Sequence, residues 1–91
     1  MESYYLKIIN HFGINNQQRK LQEEVFELQE AITKFETGVG DIKEVEEELV
    51  DVSLILSQFL EYYEVDDIGF SLLCQLKKER TLERIESGYY K

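Results

Sequence analysis

The sequence contains no proline, only five glycines, a single cysteine and a single histidine. Without proline, nothing forces a helix to kink, and a chain rich in Glu, Leu, Lys and Gln can run in long uninterrupted helices; a fold built from many tight turns is disfavoured. The lone Cys74 has no partner within the chain, which excludes an internal disulfide and fits a reducing compartment. Its surroundings, Leu72-Leu73-Cys74-Gln75-Leu76, read as a packed helix and not as the setting of a reactive thiol. Basic residues are also scarce, ten against nineteen acids, for a net charge of −9. Affinity for nucleic acid or for an anionic membrane comes mainly from cations, so neither is an expected partner, and an anionic ligand would need a metal to mediate. No apolar run approaches the ~20 residues of a membrane span, and the first residues lack the basic-then-apolar pattern of a signal peptide, so the cytoplasm is the expected location.

What is present fits one helical domain over residues 1–91. The 43% apolar and 32% charged content is that of a globular or bundle-forming chain and not of a disordered one. Its length is near the lower limit for burying a core unaided, so a partner chain would help it. Residues 3–12 form a short amphipathic pattern ended by Gly13, after which Asn15 or Asn16 can cap a second helix. From there to about Glu36, Leu21, Val25, Leu28, Ile32 and Phe35 mark one apolar stripe. Thr37-Gly38-Val39-Gly40 interrupts it, and Asp41 with Glu44 resembles a capping box opening a third helix that runs to about Glu64. That helix carries the stripe Val45, Leu49, Val52, Leu56, Phe59 and Tyr63, with Val50 and Leu54 on the opposite side. It is expected to sit between neighbours, one of which can belong to a second subunit. Asp66 and Asp67 can cap a fourth helix to about Glu86, with Ser87-Gly88 closing it and Tyr89-Tyr90-Lys91 as a tail.

The chemistry lies in two acidic pairs. Glu23-Glu24-Val25-Phe26-Glu27 on the second helix is answered by Glu48-Leu49-Val50-Asp51 on the third. Stepping by about 100° per residue from each apolar stripe puts Glu24 and Glu27 at the same angles as Glu48 and Asp51, while Glu23 falls toward solvent. In an antiparallel hairpin the two pairs flank the seam and close on a common point. Converging carboxylates repel unless a cation lies between them, and an oxygen-only set suits Mg²⁺, with Mn²⁺ as substitute, and not Zn²⁺. A single Glu-x-x-Glu in an acidic bundle is ordinarily just solvated; two at matched angles on adjacent helices are less easily dismissed. Lys77, Arg80 and Arg84 share one face of the fourth helix, where they either balance the acidic helices by ion pairs or neutralise phosphate oxygens. A di-iron carboxylate bundle would need Glu-x-x-His on two helices, which the chain lacks. A non-enzymatic acidic helical-bundle interaction module, with its carboxylates merely solvated, is the alternative to an enzyme. His11 reads as a helix-end residue and not as a catalyst.

The pattern Glu-Glu-x-x-Glu followed by Glu-x-x-Asp, here Glu23, Glu24, Glu27, Glu48 and Asp51, resembles the signature of the MazG-like all-α nucleoside triphosphate pyrophosphohydrolases. Gln17 before the Glu pair, Leu28 after Glu27 and the late Lys77, Arg80 and Arg84 support a resemblance spanning roughly residues 12–90. It implies a helical hairpin core that assembles into four-helix bundles as a homodimer or homotetramer. The implied activity is cleavage of a nucleoside triphosphate between the α and β phosphates, giving a monophosphate and pyrophosphate. By the same resemblance Glu24, Glu27, Glu48 and Asp51 hold Mg²⁺, Glu23 either supports the metal ligands or orients water, so that Glu23 and Glu24 are the expected catalytic residues, Lys77, Arg80 and Arg84 contact phosphates, and Gln17 with Asn16 lies at the base. Hydrolysis at phosphorus calls for charge neutralisation and an in-line water more than for a protein nucleophile, which suits these residues.

Overall fold

A computed structural model describes residues 3–90, and among them it shows four α-helices and no strand: α1 (Tyr4–Phe12), α2 (Ile14–Glu36), α3 (Ile42–Tyr62) and α4 (Asp67–Glu86). The expected all-α architecture is therefore what the chain adopts. Lys91, the last residue of the expected tail, lies outside the described residues. No helix among those described is long and apolar enough to cross a membrane.

Ser3 caps α1 by accepting from the Leu6 amide at 3.0 Å. Gly13 ends this helix and begins the next: its φ of 91° lets the chain turn at once, with its amide on Ile9 O and its carbonyl taking the Gln17 amide. Consequently α2 starts at Ile14, ahead of the expected caps Asn15 and Asn16, and the Asn16 side chain instead donates to Phe12 O at 2.7 Å. Asp41 caps α3 as expected, though its carboxylate takes the Lys43 amide at 2.9 Å, one residue nearer than a capping box requires. Asp66 caps α4 through the Gly69 amide at 2.7 Å.

The third helix stops at Tyr62, two residues before the expected Glu64. Glu64 itself takes φ 53°, and the Val65 amide reaches back to Leu60 O at 2.9 Å. This is the left-handed closure that Gly38 and Gly88 make at the ends of α2 and α4, here built on a residue that pays a Cβ penalty for it.

Helices α2 and α3 form an antiparallel hairpin, and α1 packs against both. Among the described residues the buried apolar side chains are few: Ile9, Ala31, Val45 and Ile55. The inward line of α2 is Gln17, Leu21, Glu24, Leu28 and Ala31, and that of α3 is Val45, Glu48, Val52, Ile55 and Phe59. Each line is rotated from the apolar stripe expected from the sequence by about 40°, toward the acids. The rotation leaves Val25, Ile32, Leu49 and Leu56 exposed, along with Val50 and Leu54 on the other side of α3. The sequence stripe is thus broader than the seam a single chain closes.

Helix α4 packs on none of the other three. The expected packed helix around Cys74 is a helix but an uncovered one, with Leu72, Leu73, Cys74 and Leu76 all exposed. The radius of gyration is 16.6 Å, against roughly 12 Å for a compact chain of this length.

Candidate active site

The hairpin register brings the acidic pairs together. Gln17 of α2 and Gln58 of α3 are level, joined by a hydrogen bond of 2.7 Å. Seven residues on, in opposite chain directions, Glu24 comes level with Asp51, and three further on Glu27 comes level with Glu48. Oxygens of Glu24, Glu27 and Glu48 lie within 4.8 Å of one another. Asp51, the fourth expected ligand, is exposed and stands beside this trio, on the wall of the adjoining cleft.

The same rotation that exposes Val25 and Leu49 changes how the acids sit. Glu24 does not flank the seam but lies in it, at 5% exposure, and Glu48 is half-buried; Glu27 remains exposed. Burial of a carboxylate is costly unless its oxygens are satisfied. Glu24 Oε1 is satisfied by Lys20 Nζ at 2.9 Å, one turn earlier on α2. Its Oε2, and Oε2 of Glu48, are withdrawn from solvent with no hydrogen-bond partner among the described residues. Withdrawal from water raises the Glu48 carboxyl above its ordinary value, and the carboxylates of Glu27, Asp51 and Glu24 push it the same way. Lys20 is held above the usual ammonium range, chiefly by its hydrogen bond to Glu24. Two orphaned oxygens among like charges are what a cation would relieve, and an all-carboxylate donor set fits a hard divalent ion.

Beside the acids opens a cleft of about 710 Å³. Glu23, Glu24 and Asp51 form one end of its wall, Lys20 and Arg19 supply positive charge, and Asn16, Gln17 and Gln58 continue it toward the α1 side chains Ile8 and Phe12. Glu23, expected on the solvent side, is exposed and at the cleft. Gln17 and Asn16 are both in its wall, though Gln17 is buried and bound to Gln58. From the acid level to the amide level is seven residues on each helix, roughly 10 Å.

Lys77, Arg80 and Arg84 do not join this site within one chain. They lie on unpacked α4, and among the described residues no ion pair links them to the acidic helices; Arg84 instead covers the Tyr89 ring, 4.6 Å from its centroid. The cations that do reach the cleft, Arg19 and Lys20, lie on α2 and not on the later basic stripe that the sequence pointed to. A Lys four residues before a Glu on one helix was the available signal. Gln58 falls about 140° around α3 from the apolar stripe, close to the angle of Asp51, so apolar spacing carries no signal for its burial. His11, at the end of α1, is exposed and packs edge-on against Phe12. No protein-family model, no curated protein and no solved structure matches this chain.

Proposed function

We propose that the chain is a Mg²⁺-dependent nucleoside triphosphate pyrophosphohydrolase, cleaving between the α and β phosphates to release a monophosphate and pyrophosphate in housekeeping of the cytoplasmic nucleotide pool. The observation that carries this reading is the pair of buried oxygens without a partner among the described residues, Glu24 Oε2 and Glu48 Oε2, in a three-carboxylate cluster beside a cleft that Glu24 lines. The resemblance of the acidic motif to the MazG-like enzymes supports it.

Glu24, Glu27 and Glu48, with Asp51 beside them, would hold the ion, and Mn²⁺ would substitute. The ion supplies charge neutralisation on phosphate oxygens. Glu23, exposed at the cleft, is free to orient or deprotonate the attacking water. Lys20 and Arg19 attract the phosphates of a ligand lying along the cleft, and Gln17, Asn16 and Gln58 offer amide groups to its base. Self-association into a dimer or tetramer belongs to the same proposal: the uncovered apolar residues of α4 and the outer edge of the hairpin support it, and assembly is the route by which Lys77, Arg80 and Arg84 of one chain would come to phosphates held by another.

The exposed apolar surface of α4 also favours a second reading, a non-enzymatic acidic helical interaction module. Incubation of a panel of nucleoside triphosphates with Mg²⁺ separates the two. The enzyme releases a monophosphate and pyrophosphate, and Glu48→Gln abolishes this. Orthophosphate as first product overturns α–β cleavage. No turnover, together with a melting temperature unmoved by millimolar Mg²⁺, favours the interaction module.

A further inference from the structure

Lys20 has two roles available to it. Its Nζ lies 2.9 Å from Glu24 Oε1, while its side chain remains 53% exposed at the cleft. Glu24 is more than nine-tenths buried, and its second oxygen has no partner among the described residues. A divalent ion among Glu24, Glu27 and Glu48 and an ammonium on Glu24 would compete for the same carboxylate. Of the cations nearby, Lys20 is tied to the cluster, and Arg19 lines the cleft without an ion pair to the cluster.

We infer that Lys20 is a tethered stand-in for the metal: it neutralises Glu24 while the cluster is ion-free, leaves Glu24 when the divalent ion enters, and then engages phosphate oxygens of the ligand in the cleft. The inference rests on the metal reading given above. A lysine suits the task because its ammonium is a compact charge on a flexible stem, whereas a guanidinium would hold a carboxylate by a fixed fork. The exchange couples two ligands. Metal entry frees the ammonium for phosphate, and a phosphate that engages the ammonium removes the competitor for Glu24, so each tightens the other by the same factor.

The test uses the whole chain and calorimetric titration, with Mn²⁺ alone and then with inorganic pyrophosphate at saturating Mn²⁺. Lys20→Met keeps the apolar stem and a good helix former at a half-exposed position, and Lys20→Gln is its control for packing. Both are expected to bind Mn²⁺ alone about fivefold more tightly, the loss of a modest ion-pair competitor. Both are expected to bind pyrophosphate about tenfold more weakly, the loss of a charge-assisted contact. Unchanged or weakened Mn²⁺ binding in both variants, with the wild type binding Mn²⁺, overturns the stand-in role and leaves the metal site intact. No Mn²⁺ binding by the wild type overturns the metal reading and this inference with it.

Discussion

Gln17 and Gln58 meet across the α2–α3 seam, the Gln17 amide nitrogen donating to the Gln58 oxygen at 2.7 Å, with both side chains buried. A buried amide bond contributes modestly while made and is expensive when half-removed, since the remaining partner stays desolvated. Gln58→Leu is therefore expected to destabilise the chain by about 1–3 kcal/mol. Gln17→Leu combined with Gln58→Leu is expected to recover much of that loss, because no polar group is left unpaired. Urea denaturation of the two single variants and the double one checks this; additive losses would mean that the two amides do not act as a pair.

Glu48 supplies a pH dependence whose sign follows from its environment. Its carboxyl is raised above 4.5 by withdrawal from water and by neighbouring carboxylates, so the folded chain holds the proton more tightly than the unfolded chain does. The stability this proton contributes is fully present below about pH 4.5 and is lost as pH rises through the raised folded value. Glu48→Gln mimics the protonated form at every pH. In the absence of divalent ions, the variant's melting temperature should match the wild type near pH 4 and exceed it near pH 7. Adding Mg²⁺ at pH 7 should raise the wild type and leave the variant behind. A wild-type melting curve that tracks the variant at both pH values would contradict the crowding of carboxylates at Glu48.

The helices were legible in the sequence because their signals are local. Ser3 and Asp41, Asp66, and the glycines at 13, 38 and 88 act within a turn of their own positions. The acidic cluster was legible because matched angular spacing on two helices survives a common rotation. What was not legible was that rotation itself, which depends on which residues the partner helix and α1 cover; it moved Glu24 from the flank of the seam into it. Nor could spacing show that α4 leaves the hairpin uncovered, since an apolar pattern names a face and not its occupant.

The end of α3 carries a correctable strain. Glu64 holds φ 53° to close the helix, while Gly38 and Gly88 do the same at α2 and α4. Replacing Glu64 with glycine removes the steric cost of a left-handed residue, offset in part by the greater freedom of glycine in the unfolded chain. A net gain of about 0.5–1 kcal/mol is expected, read as a higher urea midpoint with an unchanged slope. Glu64 is exposed and away from the acid cluster, so Mn²⁺ affinity should not change.

Helix α4 leads to a prediction about assembly. Its 20 residues are joined to the hairpin but rest on none of it, and a helix of that length is marginal in water without tertiary contacts. Ile68, Leu72 and Leu76 follow one another at four-residue steps, each more than half exposed. They form an apolar strip beside the face that carries Lys77, Arg80 and Arg84. If a second chain covers this strip, a charge placed in its middle must be desolvated on association and will oppose it. Leu76→Glu is therefore expected to shift the proposed dimer or tetramer to monomer in sedimentation velocity, and amide exchange in α4 is expected to become fast while the α2–α3 hairpin stays protected. Because the acidic cluster is built within one chain, the monomeric variant should keep its Mn²⁺ affinity while losing whatever Lys77, Arg80 and Arg84 contribute to phosphate binding from a neighbouring chain. A wild type that sediments as a monomer at every concentration would remove self-association from the proposal and leave those three cations without a role at the cleft.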